Sequence, residues 1–145
     1  MEPIRKNIIV EIICILFMLL FAYGAVSKLV DYEAFKTQLG QSPLLSPYVG
    51  VVAWFIPAIE ILITILFFFT ATRSVALYSS YTLMVVFTSY IIAITRFSDY
   101  VPCSCGGVLQ HLTWDQHLIL NFGFVFLSLT AIILYDKSQG QPKTC

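Results

Sequence analysis

Four long runs of apolar residues dominate the chain, and short polar stretches separate them. The runs cover residues 8–26, 48–69, 75–95 and 114–135. Each run is long enough to cross the hydrocarbon core of a bilayer, about 30 Å thick, as a helix. Backbone polar groups in lipid must be paired within their own segment, which favours helices over open strands. The pattern predicts an all-α, polytopic membrane protein. We expect one domain over residues 1–145, built as a bundle of four transmembrane helices.

Composition agrees with this pattern and excludes several classes of protein. Of the 145 residues, 59% are hydrophobic and 11% are charged, whereas about 25% of a soluble domain is charged. A soluble domain of this size buries only about two-thirds of the surface of its chain, too little for so many apolar residues. The net charge is zero and the basic residues are scattered, which excludes a nucleic-acid-binding surface.

The distribution of basic residues indicates the orientation of the chain in the membrane. With the N-terminus inside, the inner segments hold five basic residues and the outer segments hold three: Arg5, Lys6, Arg73, Lys137 and Lys143 against Lys28, Lys36 and Arg96. This bias predicts that both termini are cytoplasmic. The two longer loops, residues 28–47 and 96–113, would then lie on the outer, periplasmic side. We therefore expect a multi-pass protein of the bacterial inner membrane.

The first apolar run also has features of a cleaved signal peptide. It has a basic start, and Ala22-Tyr23-Gly24 resembles a cleavage site. The run continues smoothly into Val26, and three further apolar runs follow it. These features favour a retained helix.

Two cysteines in the second outer loop form the most distinctive local motif. Cys103-Ser104-Cys105 follows a proline and precedes Gly106 and Gly107. The glycines favour a turn that exposes both sulfurs, because they permit close approach of another backbone. An oxidising outer face allows such a pair to form a disulfide. A disulfide across one intervening residue closes a small, strained ring and is reduced more easily than a structural disulfide. The motif therefore predicts a redox-active pair, the candidate catalytic residues of a thiol–disulfide oxidoreductase.

The start of the fourth apolar run has features that favour the thiolate form of these cysteines. Residues Thr113 to Gln116 match the Ser/Thr-x-x-Glu/Gln pattern of a capping box, which marks the start of a helix. The positive end of that helix and the imidazole of His117 would both stabilise a nearby thiolate. Asp115 opposes this effect if its carboxylate lies close to the sulfurs.

Two other interpretations of the cysteine motif remain open. The first is a static disulfide that stabilises the loop. The second is a metal site, since two sulfur and two nitrogen ligands lie within 15 residues: Cys103, Cys105, His111 and His117. Such a set suits Zn²⁺ or a copper ion, although the spacing is not that of a standard zinc finger.

A carboxylate lies near the middle of the second apolar run. Glu60 follows Pro57 by three residues, and a charge at this depth is costly and therefore typical of a functional site. Lys28 ends the first apolar run, and its long side chain can bend inward or extend to the interface. Glu60 is thus expected to be protonated, to pair with Lys28 or to relay protons. The corresponding structural interpretations are a packing residue for Glu60 and an interfacial anchor for Lys28.

Three short motifs, in this order, resemble the DoxX/MauE group of membrane proteins. They are GAVSKLVDYEAF at residues 24–35, the Pro57-x-x-Glu60 step, and CSCGG after the third run. The resemblance is closer to the MauE-like, redox-associated proteins of methylamine utilisation, and it covers nearly the whole chain.

The resemblance implies thiol–disulfide chemistry on exported partners. MauE is associated with maturation of the disulfide-rich small subunit of methylamine dehydrogenase. DoxX relatives include a subunit of a thiosulfate:quinone oxidoreductase. Transferred to this chain, the resemblance implies that Cys103 and Cys105 are the redox pair and that Lys28 and Glu60 are polar residues of the first two spans.

The motif and the resemblance together predict electron exchange with an exported thioredoxin-like or disulfide-containing protein through a mixed disulfide. A dithiol shuttle across the membrane would need a second thiol pair, and Cys14 is the one cysteine within the spans. The sequence identifies no cofactor with certainty, and a quinone is one candidate acceptor. Two alternatives remain: a metal-handling membrane protein, and a non-catalytic subunit of a DoxX-type quinone-linked complex. Assembly as a homo-oligomer or within a larger membrane complex also remains open.

Overall fold

The computed structural model describes residues 2–97 and 113–139, and the regular structure within these residues is helical. The α-helices are α1 (Glu2–Val30), α2 (Tyr32–Gln41), α3 (Val49–Phe68), α4 (Arg73–Phe97) and α5 (Trp114–Gln139). Short 3-10 turns precede two of them, Ser46–Tyr48 before α3 and Thr70–Thr72 before α4. The prediction of an all-α protein is confirmed.

Four helices in the described part of the chain are long and apolar enough to cross a membrane. The candidate spans are Ile8–Val30, Ser46–Phe68, Thr70–Phe97 and Trp114–Ser138. They confirm the prediction of a polytopic membrane protein with four spanning helices. Their outward faces carry large apolar side chains such as Leu19, Trp54 and Phe126, all exposed. This exposure is expected when lipid, and not water, surrounds the bundle.

The four spanning helices form a closed ring. α1 packs against α3 and α5, and α4 packs against the same two helices from the opposite side. The connection between α3 and α4 is short, since α3 ends at Phe68 and α4 begins at Arg73. Within it, the Thr72 hydroxyl donates hydrogen bonds to the carbonyls of Leu66 and Phe69, at 2.7 and 3.2 Å. These bonds satisfy carbonyls that the end of α3 leaves without intrahelical donors. We call this end of the bundle the hairpin end and the opposite end the α2 end.

Aromatic and aliphatic side chains fill the centre of the ring. Phe17 of α1 is fully buried, with its ring 5.9 Å from that of Phe21, 6.4 Å from that of Phe67 and 5.4 Å from that of Phe124. Cys14 lies one turn away on α1, is 3% exposed and belongs to the same core. Its thiol therefore packs as a small apolar group within the bundle.

The connection between the first two spans contains a helix that the sequence did not predict. The first apolar run was expected to end at Val26, but α1 continues to Val30, and α2 begins at Tyr32. Phe35 and Leu39 of α2 are buried together with Ala53 of α3. α2 therefore lies against α3 and also contacts α1 at this end of the bundle.

Candidate functional site

An ion pair between α1 and α3 lies within the candidate spans. The ammonium of Lys28 donates to both carboxylate oxygens of Glu60, at 2.8 and 3.0 Å. The side chain of Glu60 is 3% exposed and that of Lys28 is 20% exposed. An isolated charge is very costly away from water, so the opposite charge is what makes this burial tolerable. Of the three alternatives for Glu60, the structure shows the pairing with Lys28.

Lys28 reaches Glu60 by folding back along its own helix over Gly24. The same ammonium donates to the Gly24 carbonyl at 3.2 Å. A Cβ atom at residue 24 would lie 3.2 Å from the Lys28 nitrogen and 3.4 Å from Oε1 of Glu60. A larger residue would therefore crowd both charged groups, and close approach is the reason that glycine suits this position.

The helix that carries Glu60 contains a buried proline one turn earlier. Pro57 lies inside α3, which continues through it from Val49 to Phe68. Proline has no backbone N–H, so the carbonyl of Ala53 lacks its usual intrahelical donor. The carbonyl of Glu60 itself accepts a second bond, from the Thr64 hydroxyl at 2.8 Å.

α2 covers the ion pair with an aromatic ring. The ammonium of Lys28 lies 5.9 Å from the centroid of the Phe35 ring, at the outer limit of a cation–π contact. Beside it, the rings of Tyr32 and Trp54 pack at 5.7 Å and fix the start of α2 against α3. The carboxylate of Glu60, the Gly24 carbonyl and the Phe35 ring thus surround the Lys28 ammonium.

The start of α5 has the capping box that the sequence predicted. The Thr113 amide donates to Oε1 of Gln116 at 3.0 Å, and the Gln116 amide donates to the Thr113 hydroxyl at 3.4 Å. This reciprocal pair satisfies two amides at the helix start. α5 therefore begins at Trp114, nine positions after Cys105 in the chain, and the positive end of its helix dipole lies at this first turn.

His117 lies in the first turn of α5, on its buried side. Its side chain is 9% exposed, and its ring lies 6.2 Å from that of Trp114. Its amide donates to the Thr113 carbonyl at 3.0 Å. The neighbouring Asp115 is exposed, so the two titratable groups of this turn face different surroundings.

The remaining predicted site residues lie outside the described residues: Cys103, Cys105, Gly106, Gly107 and His111. Cys145 also lies outside them. The chain places the C-x-C motif between Phe97 of α4 and Thr113. Phe97 lines a small apolar cleft with Pro43 of the α2–α3 connection, so α4 ends at the α2 end.

Over residues 2–97 and 113–139, no three His, Cys, Asp or Glu side chains are grouped to hold a metal ion.

Sequence reasoning missed a second polar cluster, at the hairpin end. The guanidinium of Arg73 donates to both carboxylate oxygens of Glu11, at 2.7 and 3.1 Å. The Tyr78 hydroxyl donates to a carboxylate oxygen of Asp136 at 2.9 Å. These contacts tie α4 to α1 and to α5. Partners about 60 residues apart leave no local sequence signal.

A sequence-family model described as "Methylamine utilisation protein MauE" matches residues 6–134. The matched region reaches into all four candidate spans and includes Lys28, Glu60 and both cysteines of the C-x-C motif. This chain belongs to the MauE family. Among curated proteins and among solved structures, no significant match is found.

Membership of the MauE family confirms the resemblance to MauE and gives no support to the DoxX relationship. With four candidate spans, it identifies the protein as a multi-pass membrane protein of a family named for methylamine utilisation. In this MauE-family protein, the C-x-C motif lies in the chain between the end of α4 at Phe97 and the capped start of α5 at Trp114.

Proposed function

We propose that this MauE-family protein is a membrane-embedded thiol–disulfide exchange protein that acts through Cys103 and Cys105. Its partner is an exported thioredoxin-like or disulfide-containing protein. The observation that carries the proposal is the C-x-C pair itself, set between α4 and the capped start of α5. The bias in basic residues supports a periplasmic position for this segment, at the bacterial inner membrane.

The proposed reaction moves two electrons and two protons between a dithiol and a disulfide. The thiolate of one cysteine attacks a sulfur of the partner's disulfide, and the partner's other sulfur leaves as a thiolate and takes up a proton. The thiolate of the second cysteine then attacks the mixed disulfide. The Cys103–Cys105 disulfide closes, and the partner's second sulfur is released and protonated. The reverse sequence oxidises a partner dithiol.

The start of α5 supports the proposal electrostatically. A helix of 26 residues has a partial positive charge at its N-terminus, and this charge favours a thiolate over a thiol in its vicinity. The reciprocal bonds between Thr113 and Gln116 fix where that end lies. The helix begins nine positions after Cys105 in the chain.

The position of Cys14 limits the route of the electrons. Cys14 is the one cysteine among the described residues, and it is buried in the core of the bundle beside Phe17. A single buried thiol does not form the second disulfide that a transmembrane relay requires. The proposed exchange is therefore confined to one face. The reduced pair passes its two electrons and two protons either to an exported disulfide or to a membrane quinone, which becomes a quinol.

Lys28 and Glu60 are positioning residues in this proposal. Their ion pair joins α1 to α3, and the Phe35 ring above the ammonium adds α2 to the same junction. This junction lies towards the α2 end, where α4 ends and α5 begins. A fixed α2 end gives the partner a defined surface against which to orient its disulfide.

Trapping of the partner tests the proposal. Of the two single variants, Cys103→Ser and Cys105→Ser, one keeps the attacking thiol and lacks the resolving one, so a mixed disulfide accumulates. We expect that variant to co-purify with an exported protein that reductant releases. Cys14→Ser is the matched control and should trap nothing. The proposal is wrong if neither variant forms an adduct while wild-type protein retains a stoichiometric metal.

A further inference from the structure

A polar cleft of about 820 Å³ opens at the hairpin end, and the proposed thiol exchange does not use it. It lies where the first turns of α4 meet α1 and the end of α5. Its polar lining includes Glu11, Thr70, Arg73, Ser74 and Asp136. The volume falls within the range of about 300–1,000 Å³ that small-ligand sites occupy.

The ends of the candidate spans indicate that the cleft lies at the level of the lipid head groups. The first candidate span begins at Ile8, the third begins at Thr70 and the fourth ends at Ser138. The residues that line the cleft belong to these same terminal turns. Outside a hydrocarbon core of about 30 Å, the surrounding medium is the head-group layer. A phospholipid head group is therefore the ligand that meets this cleft at the highest local concentration.

One side of the cleft suits a phosphate. Arg73 is the first residue of α4, so its guanidinium lies at the positive end of that helix. Two of its nitrogens donate to Glu11, while its Nε is buried with no hydrogen-bond partner among the described residues. A guanidinium binds phosphate oxygens through several N–H groups at once. The hydroxyls of Thr70 and Ser74 line the same side.

The other side of the cleft suits a cation. Asp136 of α5 is exposed, and the Tyr78 hydroxyl that donates to it is neutral. Glu11 is paired with Arg73, so the three charged residues of the lining leave one negative charge in excess. Lys137 follows Asp136 in the chain but does not line the cleft. A positive group on the ligand would balance the carboxylate of Asp136.

We propose that this cleft binds the head group of a phospholipid that carries a phosphate and a primary ammonium, the phosphatidylethanolamine class. The phosphate lies towards Arg73 and the start of α4, and the ammonium lies at Asp136. A primary ammonium donates hydrogen bonds to a carboxylate, whereas the quaternary ammonium of phosphatidylcholine has no N–H, and phosphatidylglycerol has no cation. The inference is independent of the chemistry at Cys103 and Cys105.

Competition among lipids in detergent micelles tests the inference. The full chain is incubated with equal amounts of phosphatidylethanolamine, phosphatidylcholine and phosphatidylglycerol, and native mass spectrometry counts the lipids it retains. We expect one tightly retained phosphatidylethanolamine, preferred about fivefold over each of the other two, as one ion pair near the surface allows.

Three variants assign the binding to the cleft. Asp136→Asn should abolish the preference for phosphatidylethanolamine. The double variant Glu11→Gln/Arg73→Gln removes a whole ion pair and leaves no lone charge, and it should lower the retention of all three lipids. Lys36→Gln is the matched control, because Lys36 is an exposed cation of α2 at the opposite end. Melting temperatures in detergent confirm that each variant is folded.

Several results would overturn the inference. Equal retention of the three lipids by the wild type, or an unchanged preference in Asp136→Asn, would exclude the ammonium contact. A preference for phosphatidylglycerol would indicate a site for anionic lipids. If soluble phosphoethanolamine bound as tightly as the lipid, the ligand of the cleft would be a water-soluble molecule and not a lipid.

Discussion

The ammonium of Lys28 and the carboxylate of Glu60 form a two-point contact, at 2.8 and 3.0 Å, inside an apolar bundle. The residues are 32 positions apart, and their contact joins the end of α1 to the middle of α3. The Phe35 ring of α2 lies 5.9 Å from the same ammonium. The pair therefore joins three helices. Substitution of either residue should destabilise the whole α2 end of the bundle.

Removal of one charge of this pair should destabilise the protein strongly. Glu60→Gln or Lys28→Met leaves the other charge buried and unpaired, which costs about 3–5 kcal/mol of unfolding free energy. The double variant Lys28→Met/Glu60→Leu should be more stable than either single variant, because no lone charge remains. Unfolding in mixed detergent and dodecyl sulfate measures these energies. Glu33→Gln, on the exposed face of α2, is the control. Single variants within about 1 kcal/mol of wild type would contradict the account.

Gly24→Ala should lower the free energy of unfolding, whereas Gly123→Ala should not. The new Cβ of Gly24→Ala would lie 3.2 Å from the Lys28 nitrogen, and overpacking of this kind costs about 1–3 kcal/mol. Gly123→Ala is the matched control, because nothing lies within 4 Å of its added Cβ. Alanine should stabilise α5 there by about 0.5–1 kcal/mol. The same unfolding assay compares the two, and equal effects would show that Gly24 is not required by the ion pair.

Loss of the capping box should loosen the start of α5. Thr113→Ala removes the hydroxyl that accepts the Gln116 amide, at a cost of about 0.5–2 kcal/mol. Amide hydrogen exchange in the first turn of α5 should then accelerate by about 2–30-fold. Thr130→Ala is the control, since that hydroxyl bonds the Phe126 carbonyl in mid-helix at 2.8 Å. Unchanged exchange at Gln116 in Thr113→Ala would show that the cap does not hold this end.

The thiol of Cys14 should resist alkylation in the folded protein. It is 3% exposed and lies within the first candidate span, among core side chains. In a variant with Cys103, Cys105 and Cys145 replaced by serine, a water-soluble maleimide should label it only after denaturation. Rapid labelling of the folded variant would contradict the packing of α1 described above.

The spanning helices were predictable from the sequence because their apolar runs are long and contain few charges. The first run was expected to end at Val26, since Lys28 lowers the local hydropathy. The helix continues to Val30, and Lys28 pairs with Glu60 inside the bundle. α2 was not predicted, since a ten-residue amphipathic helix gives a short pattern. Its stability comes from packing against α3 and not from its own sequence.

Some features of the candidate site were also visible in the local sequence, whereas others depend on how distant segments pack. The capping box was predictable because its two partners, Thr113 and Gln116, are three residues apart. Glu60 stood out as a charge within an apolar run, but its contact with Lys28 was one of three alternatives, because only helix packing decides it. The pairing of Arg73 with Glu11, 62 residues away, gave no local signal at all.

The oxidation state of Cys103 and Cys105 in native membranes tests the central claim most directly. Cells are quenched with acid, and free thiols are counted with a mass-tagged maleimide. A membrane-impermeant tag is applied separately to intact spheroplasts. We expect the pair to be wholly or partly oxidised, to shift with added reductant, and to be reached from outside. Two thiols that stay reduced, and that become reactive only after a chelator is added, would contradict redox exchange and identify the motif as a metal site.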